Sequence, residues 1–279
     1  MYIDSHQHFW KYDRQRDSWI TPEMSILMRN FLPEELKGEL SANGMDGCVA
    51  VQADQSELET EFLLSLADQH GSMIRGVVGW LDLSSPKLPE RLDHFSQFRK
   101  LRGLRHIVQS EPDDRFMLRP DFCRGIAKFR DFDFTFDILI YPRQLPAAIE
   151  LVQKFPDQKF VLDHMAKPSI RTGELDDWSK QICTLASNPK VYCKLSGLVT
   201  EANWTNWHAT DFDRYLDVVF AAFGADRLMF GSDWPVCLLA ATYRQVRELV
   251  AEYMARFPTE LQQKIFGLNA IQFYGLNLT

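Results

Sequence analysis

The 279-residue sequence predicts an α/β protein folded as a single (β/α)₈ (TIM) barrel domain over residues 1–279. Three observations predict it. Short β-rich runs alternate with helix-like stretches, as in a parallel sheet. Eight such runs can be counted, and no glycine-rich phosphate loop follows the first, which disfavours a doubly wound open sheet. The mean repeat of roughly 35 residues suits one βα unit, and the length suits a barrel of roughly 250 residues.

The predicted strands are residues 2–8, 47–53, 74–82, 103–109, 134–141, 159–164, 191–197 and 228–233, with helices over 56–70, 144–155, 212–223 and 240–257. Local signals mark several boundaries. Asp211 precedes an apolar-periodic run as an N-cap would, Gly224 follows Phe223 as a C′ glycine would, and Pro142 would end a ladder after the fifth strand. Two non-periodic stretches, 9–30 and 200–208, carry Trp10, Trp19, Trp204, Trp207 and His208. In a barrel both rise from the C-terminal rim, where recognition loops sit.

The composition, 46% hydrophobic and 25% charged, is that of an ordinary globular protein. A net charge of −7 and a pI near 5.5 give no electrostatic basis for binding nucleic acid or an anionic membrane. Apolar runs such as 138–141 are far too short to span a bilayer. The five cysteines are scattered and form no C-x-x-C pair, which fits a reducing compartment; Cys48, Cys193 and Cys237 read as buried small hydrophobes. Charge and imidazole within the first six residues leave no room for an apolar leader, so a cytoplasmic location is expected. Homodimerisation stays open.

His6-Gln7-His8 is the sharpest local feature. Side chains two apart on a strand share a face, so Asp4, His6 and His8 are expected to line one side. Two imidazoles there can bind a metal or donate to an oxyanion. The sixth strand ends in Asp163-His164 and the eighth in Ser232-Asp233-Trp234-Pro235. Closing the barrel brings Asp233 beside His6 and His8. Each residue also has a structural reading: a polar strand end for the H-x-H pair, a hydrogen-bonded core histidine for His164, a turn residue for Asp233. Their joint fall at the ends of three strands favours function.

The residues 3–10 (IDSHQHFW), 103–106 (GLRH), 160–168 (FVLDHMAKP), 194–197 (KLSG) and 230–235 (FGSDWP) together resemble the amidohydrolase superfamily over nearly the whole chain. The resemblance is closest to the amidohydrolase 2 branch that contains sugar-lactone hydrolases of the L-fuconolactonase and L-rhamnonolactonase type. It implies hydrolysis of a sugar-acid lactone, with Asp233 as general base and His164 beside it as catalytic residues. It also implies at most one divalent ion, held by His6 and His8 with His164 or Asp233. Zinc is the default for nitrogen-rich ligation, with manganese as the other choice, and metal-independent catalysis stays open. The strand-four run offers no lysine for a two-metal centre, and Lys194 stands where the seventh strand of related proteins carries a histidine. Decarboxylases, hydratases and dicarboxylate lactonases resemble the same pattern; a non-catalytic sugar-acid-binding barrel is disfavoured by the intact cluster.

Further substrate-binding candidates follow from strand ends and loops: His106, Lys194, Tyr141, Gln52, Trp10, Trp207 and His208. Of the neighbours Arg105 and His106 at most one reaches the interior, and His106 is the one expected. A lysine inside a barrel is costly unless paired, so Lys194 should meet a carboxylate or substrate. A dicarboxylate would call for converging arginines, and only Arg105 and Arg143 lie near strand ends, so a neutral deoxysugar lactone is expected.

Overall fold

The computed structural model describes residues 1–277. Eight strands form one parallel sheet in sequence order: β1 Ile3–Gln7, β2 Gly47–Val51, β3 Ile74–Gly79, β4 Leu101–His106, β5 Thr135–Ile138, β6 Phe160–Leu162, β7 Val191–Leu195 and β8 Leu228–Phe230. The sheet curls until β8 meets β1: Gln7 bridges Trp234 in parallel, Asp233 N–H donates to His6 O at 2.8 Å, and His8 N–H donates to Trp234 O at 2.7 Å. The predicted barrel is the fold. Each strand is shorter than its predicted run, mainly because the C-terminal residues of the run turn away from the ladder to form the rim.

Helices α1 Pro33–Ala42, α2 Glu57–Gln69, α3 Leu88–Ser96, α4 Pro120–Ile126, α5 Leu145–Lys154, α6 Asp176–Ala186, α7 Thr210–Phe223 and α8 Tyr243–Met254 follow the eight strands in turn. Two further helices, α9 Thr259–Gln263 and α10 Asn269–Tyr274, complete the described chain, and none is long and apolar enough to cross a membrane. The expected N-cap of α7 is corrected. The cap position is Ala209, and Asp211 lies in the first turn, where its carboxylate accepts the His208 N–H at 2.8 Å. Ser56 does cap α2, accepting the Glu59 N–H at 3.2 Å, and Gly224 ends α7 with φ of 66°.

Inside the barrel the side chains form three tiers. The lowest is apolar: Ile3, Val49, Val78, Val161 and Met229 pack against Phe273 and Tyr274 of α10, which closes that end. Above it lies an ionic tier of Arg105, Asp137, Asp163 and Lys194, all buried. The top tier holds the histidines and Asp233. A bulge between Asp4 and Gln7 shifts the phase of β1, which corrects the expectation for Asp4. Ile3 joins the interior, whereas the Asp4 carboxylate accepts the Ser232 N–H and the Tyr243 hydroxyl of α8. Only His6 and His8 of the predicted trio belong to the upper tier.

Candidate active site

His8 directly follows β1, and its Nδ1 lies 2.8 Å from the carbonyl oxygen of Val51 on β2. A carbonyl only accepts, so Nδ1 carries a proton, and Nε2 is the nitrogen turned towards His6 and Asp233. That nitrogen lies 3.2 Å from His6 Nε2 and 3.3 Å from Asp233 Oδ1. His6 Nε2 is 3.8 Å and His164 Nε2 3.9 Å from the same carboxylate oxygen. Four polar atoms from β1, β6 and β8 thus converge on one point, and the His6 and His164 rings lie 4.4 Å apart.

The backbone around this point is unusual. His164, Met165, Ala166 and Lys167 have φ of 52°, 52°, 58° and 50°, a left-handed turn of four non-glycine residues, and Asp233 has φ of 58°. Each such residue costs about 1–2 kcal/mol. The turn is held by burial of Met165 and Ala166 and by the Trp178 indole, which donates to Met165 O at 2.8 Å. It swings His164 over the barrel and brings Lys167 to the rim, an instance of strain stored where function needs a fixed geometry. Two glycines make room. A Cβ on Gly197 would lie 2.5 Å from His164 Nδ1, and one on Gly231 would lie 2.6 Å from His6 Cβ. The glycines of the two short motifs at the ends of β7 and β8 are therefore needed for packing against the histidines.

Burial pushes His164 down to about 4, against the pull of Asp233 and Asp163. It also drives His6 well below the ordinary imidazole value, with Lys194 adding to the effect. Both rings are neutral at neutral pH. Burial acts to raise Asp233, but His164, His8 and His6 outweigh it and hold the carboxyl below the usual carboxylate range. Beneath, Lys194 Nζ contacts Asp137 Oδ2 at 2.6 Å, Asp163 Oδ1 at 3.0 Å and His6 Nδ1 at 3.1 Å. Arg105 donates to Asp163 Oδ2 at 3.0 Å and to the Gln52 carbonyl. Burial alone would raise Asp163; Lys194, His6 and Arg105 reverse the sign and hold it well below its ordinary value.

The family model described as "Amidohydrolase" matches residues 3–276. The chain belongs to the amidohydrolase family. A protein named L-fucono-1,5-lactonase from Burkholderia multivorans is 41% identical, over 98% of this chain and 96% of that protein. Another of the same name from Burkholderia ambifaria is 34% identical over 99% and 96%. A crystal structure of a Burkholderia multivorans amidohydrolase with bound zinc superposes with a TM-score of 0.95 at 40% identity, covering 99% of this chain and all of that one.

In this amidohydrolase the residues present fit a single ion. Nitrogen ligands of a tetrahedral zinc stand about 3.3 Å apart, and His6 Nε2, His8 Nε2 and Asp233 Oδ1 are separated by 3.2, 3.3 and 3.8 Å. Asp163 with His6 and His164 forms a second geometric cluster. Asp163 already faces two cations, so a further positive ion there would meet Arg105 and Lys194.

A cavity of about 180 Å³ opens above the upper tier, lined by His8, His164 and Asp233, the cations Arg105 and Lys167, and a wall that includes Trp10, Trp19 and Leu139. A larger cleft of about 460 Å³ lies at the opposite end, between Ile126–Phe134 and Lys154–Lys159 of the loops leading into β5 and β6, and contains no histidine. Among the candidates, His8, His164, Asp233 and Trp10 face the upper cavity. The expectation for strand four is reversed. Arg105 points inward, whereas His106 points outward, stacked on Phe116, donating to Glu111 at 2.7 Å and accepting from Trp80. Lys194 has its carboxylates, but it is wholly buried among them and cannot reach a substrate in the cavity. Gln52 is buried too, its Oε1 accepting from Arg105 at 3.2 Å; it supports that guanidinium from below.

The remaining candidates are peripheral. Tyr141 is 37% exposed at the rim, with Lys167 Nζ 5.4 Å from its ring centre. Trp207 donates its indole N–H to Ala240 O and packs on Phe212, and His208 is exposed; neither lines the cavity. Arg105, Lys167 and Asp163 are the residues that sequence reasoning left out of the site. The available signals were the Asp163-His164 pair and the lysine three residues further on, at the end of the same short motif.

Proposed function

We propose that this amidohydrolase is a lactonase-type hydrolase that opens a small neutral sugar-acid lactone of the deoxysugar kind, with L-fucono-1,5-lactone as the leading substrate. The full-length similarity to two proteins named L-fucono-1,5-lactonase supports the substrate class. The observation that carries the chemistry is Asp233: a buried, ionised carboxylate at the cavity floor, 3.3 Å from His8 Nε2 and flanked by two neutral imidazoles.

Asp233 accepts a proton from the attacking water as the water oxygen bonds to the lactone carbonyl carbon. The carbonyl π pair moves onto oxygen, and the developing charge is met by His164 at the cavity wall. Collapse restores the carbonyl and expels the ring oxygen, which takes the proton back from Asp233 and leaves the open hydroxy acid. A divalent ion held by His6 and His8 with His164 or Asp233, zinc by default, would supply Lewis-acid polarisation of the carbonyl and a more acidic water. The apolar wall of Trp10, Trp19 and Leu139 suits a deoxysugar methyl group. Neither cavity cation is free for a substrate carboxylate, since Arg105 pairs with Asp163 and Lys167 lies 3.7 Å from Glu201. That favours a neutral lactone over a dicarboxylate one even though Arg105 points inward.

The test is acid release from fuconolactone, rhamnonolactone and a pyrone dicarboxylate, by wild type and Asp233→Asn, with and without chelator. The expected result is highest kcat/KM on a deoxysugar lactone, with a fall of at least about 10²-fold in the folded variant. Preference for the dicarboxylate, or full activity in the variant, would overturn the assignment.

A further inference from the structure

Several side-chain amides around the mouth of the barrel are spent on the protein itself. Gln52 Oε1 accepts from Arg105 at 3.2 Å, and Gln55 Oε1 accepts the Ile107 N–H at 2.7 Å. Gln144 accepts the Tyr141 N–H at 3.0 Å and donates to Val108 O at 2.8 Å. Gln109 is different. It lines the upper cavity beside Ile107, Ser110 and Leu139, and its Oε1, shielded from solvent, has no hydrogen-bond partner among the described residues. Of the shielded oxygens in that condition, it is the one whose residue lines the cavity.

The backbone of the same residue is firmly held. Gln109 sits in a short 3₁₀ turn, Val108–Ser110, that follows β4. Its N–H donates to Leu139 O at 3.1 Å, and its carbonyl accepts from Arg143 at 3.3 Å. Arg143 is in turn held by Asp114 at 2.8 Å. The side chain is thus offered from a fixed point while its oxygen is bound to nothing. A shielded acceptor without a partner is destabilising, so nearly every one in a folded protein is paired. On a cavity wall the ligand is the partner that fits.

We infer that Gln109 is a specificity-determining residue whose side-chain amide hydrogen-bonds to a hydroxyl of the lactone. An amide oxygen needs a donor. The lactone carbonyl, its ring oxygen and a carboxylate offer none, whereas a sugar hydroxyl does. Exchanging the oxygen and nitrogen of the amide would place a donor there, and a hydroxyl answers that orientation as well. The inference deepens the lactonase reading of this cavity and rests on it. His8, His164 and Asp233 serve the ester group that every lactone shares, so they do not tell a sugar lactone from a plain one. An amide left unpaired by a lactone without hydroxyls does.

Gln109→Met keeps the length and flexibility of the side chain and removes both hydrogen-bonding atoms. Wild type and variant are compared on fuconolactone or rhamnonolactone, whichever wild type opens faster, and on δ-valerolactone, which carries no hydroxyl. Urea unfolding is run alongside. On the sugar lactone kcat/KM should fall at least about 10-fold, the effect of an unmade hydrogen bond in a shielded site. On δ-valerolactone it should stay within about twofold. The urea midpoint should be unchanged or raised, because no bond of Oε1 within the protein is lost. Wild type too slow on δ-valerolactone to measure is itself rejection of that lactone, and the fall on the sugar lactone at an intact midpoint then decides. An equal fall on both lactones, a lowered midpoint, or an unchanged kcat/KM on the sugar lactone overturns the inference. If wild type opens no lactone, the lactonase reading fails and takes the inference with it. If wild type opens the sugar lactone and the variant matches it, the inference alone fails.

Discussion

The two ionisable tiers of the barrel use similar residues for different ends. In the upper tier His8, His164 and Asp233 border a cavity, and His8 Nε2 lies 3.3 Å from Asp233 Oδ1. In the lower tier Lys194 bridges Asp137 and Asp163, and Arg105 grips Asp163 and Gln52. One tier presents its polar atoms to a cavity. The other pairs its charges within itself, and they cancel: two carboxylates against one ammonium and one guanidinium. The lesson is that burial of charge does not identify chemistry; access from a cavity does.

The largest expected effect tests that cancellation. Lys194→Met leaves Asp137 and Asp163 facing each other in a wholly buried setting. Removing one partner of a buried ion pair costs about 3–5 kcal/mol. Urea unfolding should show a loss of that size, largely restored when Asp137→Asn is added to remove the unpaired carboxylate. A stability change under about 1 kcal/mol would mean that the lower tier is not the electrostatic unit its distances indicate.

A carboxylate outside both tiers sharpens the contrast. Glu59 on α2 is buried and accepts the Ala53 N–H at 3.1 Å, and among the described residues no cation hydrogen-bonds to it. Burial pushes it up to about 7, with the Ala53 hydrogen bond and Arg16 opposing. Asp163, beside two cations, moves the other way. For Glu59 the folded state holds the proton more tightly than the unfolded one, whose value is 4.5. Stability from this group is therefore present below about pH 4.5 and is lost as pH rises towards 7. Glu59→Gln removes the dependence, and at pH 8 it should be more stable than wild type by up to about 3 kcal/mol, at about 1.4 kcal/mol per unit. Equal stability of the two proteins at pH 8 would contradict the assignment.

The barrel and the upper tier were legible because each is written in short-range signals: alternation of strands and helices, and ionisable residues at strand ends. The lower tier was not. Whether Arg105 or His106 points inward depends on the phase of β4, and two polar neighbours give no hydrophobic alternation to fix it. The same limit applies to Asp4, since the bulge in β1 adds a residue that no pattern in IDSHQH announces. Lys194 shows the intermediate case. Its need for a carboxylate follows from the cost of burial, but the partners, Asp137 and Asp163, are 57 and 31 positions away on other strands. The aromatic loops misled for another reason. Trp207 spends its indole N–H on Ala240 O, so it anchors the rim and leaves the cavity wall to Trp10 and Trp19.

The smallest expected effect asks whether the two tiers are energetically separate. Tyr274 of α10 donates its hydroxyl to Asp137 Oδ2 at 2.7 Å from the closed end of the barrel. Tyr274→Phe keeps the ring, which lies 5.6 Å from Lys194 Nζ, and removes one hydrogen bond to a charged acceptor. Such a bond contributes about 1.5–3 kcal/mol, and Asp137 keeps its contact with Lys194, so a loss near the lower figure is expected in urea unfolding. Because Asp137 borders no part of the upper cavity, kcat and KM should stay within about twofold of wild type, under 0.5 kcal/mol. A larger fall in kcat with unchanged KM would show that a bond at the closed end reaches His6 through Lys194. The lower tier would then act as part of the catalytic apparatus, not as its support.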